Sequence, residues 1–398
     1  MGRVCVVGLG YTGLPTAAVL ASRGYEVHGV EVKPEAVDTI NSGRAHIVEP
    51  DLDMLVQAAV STGRLRAHLS PAEADVFILC VPTPCSEDNQ PVLDFVLDAA
   101  HSVAPFVRAG NLVVLESTSP PGTTERLARI LHEETGIPEG EIRVAHAPER
   151  VLPGRILREV VENDRLVGGV DERSTAACAD FYRTFVTGDI LPTNARTAET
   201  VKLTENAYRD VNIAFANEVS IVADELHLDV WELIDLANRH PRVDILRPGP
   251  GVGGHCIAVD PWFLIAACPD STPLMRTART VNLEKPGWVV ERVRRRAERF
   301  KAPQIACLGL AYKPNVDDLR ESPALQIVRE LAAAGVGELR VVEPNLARHA
   351  EFDLVGCEEA LEGADIVLFL VAHDEFRRIA RKDLEEKTII DTCGVLRP

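Results

Sequence analysis

The chain has 398 residues, 46% of them hydrophobic and 26% charged, with a formal net charge of -18. Such a length exceeds one ordinary core, so two or three domains of roughly 100 to 200 residues are expected, and no apolar run approaches the ~20 residues of a membrane span. The acidic balance argues against nucleic acid as a partner. Nine cysteines without a CxxC pair or a His-rich spacing favour neither a disulfide framework nor a metal site, and MGRVCVVGLG enters an apolar strand at once, leaving no room for an export signal, so a cytoplasmic location is expected.

In chain order, VCVVGL reads as a strand, Leu14 to Arg23 as a helix, YEVHGVEV as a second strand, and DVFILCVP and NLVVLEST as further strands. This alternation is the rhythm of βαβ units on a parallel sheet. Gly8, Gly10 and Gly13 form GLGYTG between the first strand and its helix, with Tyr11 and Thr12 inside the turn. Glycines there permit a tight turn and the approach of a pyrophosphate to the helix N-terminus. Glu31 ends the second strand and is placed to accept from a ribose 2′-hydroxyl, while its charge would repel a 2′-phosphate, which favours NAD. A bare Gly-x-Gly-x-x-Gly is as readily a structural turn; strand, helix and acid together carry the dinucleotide reading. Pro82, Thr83 and Thr118 fall at two later strand ends, where α/β folds bind ligands, although each alone reads as an ordinary loop.

The middle of the chain changes character. From TAETVKLTEN to LANRH the apolar residues follow helical spacing, giving one long helix and then a shorter one. Lys202 and Asn206, four apart, point from one face and could meet a developing oxyanion, or simply face solvent. The segment Gly253-Gly254-His255-Cys256-Ile257-Ala258-Val259-Asp260 sets a thiol four residues before a carboxylate, after glycines that let a substrate approach the backbone. Against a nucleophile stands the usual role of cysteine as a small buried hydrophobe. PQIACLGLAYKP, GELRVVEPN, GADIVLFLVAH and KTIIDTCGVL then restore the strand rhythm. The expected architecture is α/β: two Rossmann-like doubly wound domains, 1–194 and 291–398, joined by a long central helix and a small helical dimerisation domain, 195–290.

Taken together, GLGYTGLP, ESTSPPGTT, APERVLPGR, KLTEN, GVGGHCIAVDP and LAYKPNVDDLRESPA resemble the UDP-glucose/GDP-mannose dehydrogenase family, in order and over nearly the whole chain. The resemblance implies oxidation of the C6 primary alcohol of a UDP-sugar to the uronate with two NAD, through a thiohemiacetal and then a thioester on Cys256. It implies that Lys202 and Asn206 stabilise the C6 oxygen, that Lys202 and Asp260 share acid–base work with Thr118, and that Glu149 assists hydrolysis. Glu149, Arg150, Val151, Leu152, His240, Gly253 and Lys313 would contact substrate, and Arg320 the cofactor pyrophosphate. Arg242 would reach the neighbouring active site of a homodimer.

Within the family, INSGRAHIVEPDLD, PERVLPGRILREVVENDRLVGG and ANRHPRVDILRPGPGVGGHCIAVDPW resemble the branch acting on UDP-N-acetyl-D-mannosamine. UDP-N-acetylglucosamine and UDP-glucose remain alternatives, as does a two-electron hydroxyacid-type dehydrogenase. A sensor that kept the fold without the chemistry fits poorly with Cys256, Lys202, Asn206 and Asp260 occurring together. The chain departs from the glucose-oxidising pattern at Pro153, where those members carry a second Glu, and at Val259, where they carry a Lys.

Overall fold

The structure, a computed structural model, describes residues 2–152 and 154–397; Pro153 therefore lies outside the described residues. The chain divides into two compact units, Met1–Glu205 with Trp262–Ala267 and Asn206–Pro261 with Cys268–Pro398.

The first unit is built on eight strands: β1 (Arg3–Val7), β2 (Glu26–Val30), β3 (Leu65–His68), β4 (Val76–Leu79), β5 (Leu112–Leu115), β6 (Arg143–His146), β7 (Arg165–Gly169) and β8 (Ile190–Asn194). They lie in the order β3-β2-β1-β4-β5-β6-β7-β8. The first six positions are the doubly wound order of dinucleotide-binding sheets. Successive residues of β1 serve opposite faces: Val4 and Val6 enter one apolar cluster, Cys5 and Val7 the other. Both faces are thus covered by helices, which is why these strands are continuous apolar runs. One join departs from the expected parallel sheet. Strand β7 runs antiparallel to β6, with Ala145 opposite Gly169, and β8 then runs parallel to β7. After β6 the chain returns through the short helix Ile156–Glu162 and begins β7 at the edge where β6 ended.

The turn after β1 shows why its glycines differ in kind. Gly8 has φ +89°, and a Cβ there would stand 2.6 Å from the Cys80 carbonyl oxygen; a Cβ on Gly13 would stand 1.8 Å from the Gly8 carbonyl oxygen. Around Gly10 there is open space.

The second unit takes in the later turns of the long helix Ala195–Glu225, the short helix Val230–Ala237 and the helix Pro273–Ala297. Its sheet comprises β9 (Gln304–Leu308), β10 (Glu338–Val342), β11 (Ile366–Phe369) and β12 (Thr388–Asp391), all parallel in the order β10-β9-β11-β12. Here too alternate residues, Ile305 and Cys307 against Ala306 and Leu308, fill two separate clusters.

The long helix and the helix Pro273–Ala297 meet through buried polar groups. Arg279 donates to Asp210 at 2.7 Å, Asn282 donates to the same carboxylate at 2.8 Å, and Asn217 donates to Asn282 at 2.9 Å. Lys285 donates to Ser220 at 2.5 Å and lies over the Trp288 ring. Among the described residues no helix is long and apolar enough to cross a membrane.

Two outcomes are expected. Gly13→Ala forces overlap in the turn after β1, an overpacking cost of about 1–3 kcal/mol, and lowers Tm by several degrees, whereas Gly10→Ala leaves Tm unchanged; calorimetry on both variants checks this. Burial brings the Lys285 ammonium down from 10.5 to about 7, with Arg292 adding to the effect and Asp224 opposing it. The unfolded chain therefore binds more protons between those two values, so stability rises with pH across that window. Lys285→Met removes that rise, as measured by denaturant unfolding at pH 7 and pH 9.

Candidate active site

At the carboxyl edge of the first sheet, four adjacent strands bring together the residues expected to hold a dinucleotide. Gly8, Gly10, Tyr11, Thr12 and Gly13 follow β1, Glu31 follows β2, Pro82 and Thr83 follow β4, and Thr118 follows β5. Ser117 stitches the last two ends together, its hydroxyl donating to the Val81 carbonyl at 2.7 Å. Glu31 accepts from the backbone N–H of Leu9 at 3.3 Å and of Lys33 at 3.2 Å, which fixes its carboxylate beside the glycine turn. The helix Gly13–Ser22 begins without a side-chain cap. Its N-terminal N–H groups and the open space at Gly10 suit a pyrophosphate, so these residues fit NAD.

Beyond β6, Glu149 is tied to a buried arginine rather than standing alone. Arg165 donates to Glu149 at 2.7 Å, lies 3.8 Å from Glu116 and sits over the Tyr182 ring. Burial lowers the affinity of the guanidinium for its proton, but Glu149, Tyr182 and Glu116 outweigh it, so the Arg165 pKa is raised. Glu116 is pushed above the usual carboxylate range by burial, against the pull of Arg165 and a hydrogen bond from Tyr182.

Arg150 donates to Glu205 at 2.9 Å and to the Asp164 carbonyl at 2.5 Å. The Leu152 N–H donates to Glu159, and Val151 is half-buried. The turn that follows is held from a distance: Glu49 accepts from Gly154 N–H at 2.8 Å and from Ile156 N–H at 2.7 Å. Glu199 does the same for the segment after Thr118, accepting from Gly122 and Thr124 N–H at 2.6 and 2.7 Å. Lys202, one turn further along the helix, is half-buried.

The second unit holds the sulfur. The Cys256 carbonyl accepts from Val259 N–H at 3.0 Å and Asp260 N–H at 2.8 Å, a helical turn that opens the helix Asp260–Ala267. Cys256 is half-buried and Asp260 is 3% exposed. Asn206 donates to Asp260 at 2.5 Å. Asn206 is thus buried and aimed at a carboxylate, not set on a solvated helix face, and the pairing uses one of its two N–H donors.

The paired glycines before Cys256 have a packing reason within the chain. A Cβ on Gly253 would meet the Glu321 carbonyl at 2.4 Å and the Tyr312 Cβ at 2.8 Å, and one on Gly254 would meet the Tyr312 ring at 2.7 Å. The chain itself fills that space, and Gly254 N–H donates to the Arg320 carbonyl at 3.0 Å.

Arg320 makes a fork on Asp318, at 3.0 Å from Nε and 2.6 Å from Nη2. Burial would raise Asp318, but Arg320 brings it below the usual range. A phosphate on Arg320 would have to compete with that carboxylate. Lys313 is half-buried in the turn after β9. His240 and Arg242 are exposed on a loop that Asn238 closes by two hydrogen bonds to Ile245, at 3.0 and 2.7 Å. Among the described residues no group of three or more His, Cys, Asp or Glu is arranged to hold a metal ion.

Sequence reasoning missed Arg165, Glu49, Glu199 and Asn217, the last of which accepts from Gly249 N–H at 2.9 Å on the way to Cys256. The first three act on partners fixed only by the fold. Asn217 carried one readable signal, its place on the buried face of the long helix, seven residues after Asp210.

Comparison with known proteins gives the family. Profiles of the UDP-glucose/GDP-mannose dehydrogenase family match three consecutive stretches: its NAD binding domain at 2–186, its central domain at 196–284 and its UDP binding domain at 306–398. The chain is 56% identical to an NDP-N-acetyl-D-galactosaminuronic acid dehydrogenase of Ralstonia solanacearum, over 98% of this chain and 96% of the relative. It is 52% identical to a UDP-N-acetyl-D-mannosamine dehydrogenase of Campylobacter jejuni, over 94% and 96%. A solved UDP-D-ManNAc dehydrogenase of Pyrococcus horikoshii superposes with a TM-score of 0.92 at 42% identity, covering 100% of this chain and 96% of that one. The chain belongs to the UDP-glucose/GDP-mannose dehydrogenase family and is an NAD-dependent UDP-sugar dehydrogenase, an oxidoreductase acting on CH–OH.

Proposed function

We propose that the protein oxidises the C6 primary alcohol of UDP-N-acetyl-D-mannosamine to the uronate, with Cys256 as covalent nucleophile. The observation that supports this most is the buried Asn206–Asp260 pair one helical turn beyond Cys256. NAD, when bound, supplies a hydride acceptor for each of two successive oxidations.

Lys202 and Asp260 take the proton of the C6 hydroxyl as the first hydride leaves, directly or through one water. The Cys256 sulfur then bonds to C6 of the aldehyde and its proton passes to the C6 oxygen, giving a thiohemiacetal that keeps the aldehyde from escaping. Loss of the second hydride and of the hydroxyl proton yields a thioester. Asn206 and Lys202 stabilise the oxygen as it gains charge. Water adds to the thioester carbonyl, the C–S bond breaks, the Cys256 sulfur takes up a proton and is regenerated as the thiol, and the uronate leaves. Glu149, oriented by Arg165, and Thr118 place that water. Over both halves, alcohol, water and two NAD give carboxylate, two NADH and three protons.

The labour divides among a cofactor-binding part at 1–194, a central dimerising part at 195–290 and a nucleotide-binding part at 291–398. Tyr208, Phe215 and Val222 are 68%, 54% and 46% exposed and recur every seven residues along the long helix, an apolar ridge suited to a second copy of the chain. The exposed loop bearing His240 and Arg242 would extend to the partner's site.

A second substrate reading rests on the Ralstonia relative, whose name places it on an N-acetylgalactosamine-series sugar. A panel of UDP-N-acetylmannosamine, UDP-N-acetylgalactosamine, UDP-N-acetylglucosamine and UDP-glucose separates the two by kcat/KM. Two NADH per sugar are expected; one NADH rejects the four-electron route.

Cys256→Ser loses uronate formation by several orders of magnitude, since an alkoxide forms far less readily than a thiolate, with Tm unchanged; near-normal turnover rejects the covalent step. Arg242→Ala and Cys256→Ser subunits, each inactive, recover about a quarter of the sites when mixed, as expected for a symmetric dimer with an arginine donated in trans. No recovery in mixtures shown to exchange subunits rejects that donation.

A further inference from the structure

The turn after β9 repeats the turn after β1. Gly309-Leu310-Ala311-Tyr312-Lys313-Pro314 stands against Gly8-Leu9-Gly10-Tyr11-Thr12-Gly13, with alanine and proline in place of the second and third glycines. The backbone agrees: Gly309 has φ +101° where Gly8 has +89°. Each glycine N–H donates at 2.8 Å to the last residue of the neighbouring strand, Val342 and Val30 respectively. Each of those strands is followed at once by a glutamate, Glu343 and Glu31, and each glutamate accepts from the leucine after the glycine, at 2.7 and 3.3 Å.

There the likeness ends. Glu31 is half-exposed, whereas the Glu343 side chain is fully buried. Its Oε2 accepts from Leu310 N–H at 2.7 Å, Ala311 N–H at 3.0 Å and the His373 ring at 3.1 Å, and its Oε1 from Asn345 N–H and Nδ2, both at 3.1 Å. The His373 Nδ1 accepts the backbone N–H of Asn315 at 2.9 Å, so the ring proton sits on Nε2 and faces Glu343. Burial would raise the Glu343 carboxyl, but His373 and the backbone N–H groups hold it down at about 2. Both carboxylate oxygens are thus engaged by donors within the protein.

We infer that Glu343 and His373 are positioning residues: the acid that a dinucleotide fold presents to a ribose is here turned inward, clamping the turn 310–315 that bears Lys313, and the uridine nucleotide is bound without a ribose contact from Glu343. This rests on the reading that the nucleotide occupies the C-terminal unit. The clamp also bears on the nucleophile, because Tyr312 of the same turn fills the space at Gly253 and Gly254, just before Cys256.

The test is a thermodynamic cycle on the full-length protein. UDP, 2′-deoxy-UDP, 3′-deoxy-UDP and NAD are titrated by calorimetry into the unmodified chain and into Glu343→Gln. The expected result is that Glu343→Gln weakens all three uridine nucleotides by the same factor, about tenfold or more as for a lost charge-assisted hydrogen bond, with NAD affinity unchanged. It also raises KM for the UDP-sugar and leaves KM for NAD alone. If removing a ribose hydroxyl weakens the unmodified chain but not Glu343→Gln, the glutamate touches the ribose and the inference is overturned. Unchanged uridine nucleotide binding in Glu343→Gln overturns it equally. Should Glu343→Gln fail to bind NAD or to fold, His373→Ala, which keeps the carboxylate, is subjected to the same cycle. An unmodified chain that binds NAD but no UDP would refute the nucleotide reading itself, a result distinct from either outcome of the cycle.

Discussion

A carboxylate removed from water needs a partner, and the site is arranged around that need at Asp260. At 3% exposure an unpaired charge there would cost several kcal/mol, and the Asn206 amide meets it at 2.5 Å. The pairing ties the long helix to the turn that begins at the Cys256 carbonyl, so the helix and the thiol segment have one relative placement. Asn217 repeats the device about three turns on, receiving Gly249 N–H while donating to Asn282.

The same economy recurs wherever a loop near the sheet edges must hold one shape. Glu199, Glu49 and Glu343 are all buried, and each spends its carboxylate on backbone N–H groups of a turn far away in sequence. Such a carboxylate is charge-assisted at both oxygens and satisfies groups that would otherwise be stranded. Loops held to one shape suit the proposed course of two oxidations and a hydrolysis, in which the same atoms would serve each step.

What could be read from the residues alone divides along physical lines. The strands were legible because burial on both faces leaves an unbroken apolar run, as in LVVL, and the glycine turn because its spacing answers to one backbone geometry. The long helix was legible from its period. Lys202, Asn206 and Cys256 were legible only in part: the spacing of the first two and the glycines and carboxylate around the thiol marked them as candidates, but a lysine between Val201 and Leu203 or one cysteine among nine has an ordinary reading too, and resemblance decided between the two. The antiparallel join of β7 was invisible, since neither sequence period nor propensity encodes strand direction. The glycines at 253 and 254 were noticed, but not the packing of Tyr312 and Glu321 against them, because a glycine records that something approaches closely and not whether it is ligand or chain. Glu49 was beyond reach, its partners lying more than a hundred residues away.

The buried face of the long helix has an implication for how this protein can vary. Asn206 answers to Asp260, Asp210 to Arg279 and Asn282, and Asn217 to Gly249 and Asn282. Each added or deleted residue turns everything beyond it by about 100° and slides it about 1.5 Å. A length change between Asp210 and Asn217 therefore cannot keep both ends paired. Descendants of this sequence are free to exchange letters on the outer side of that rod, but its syllable count between these anchors is fixed.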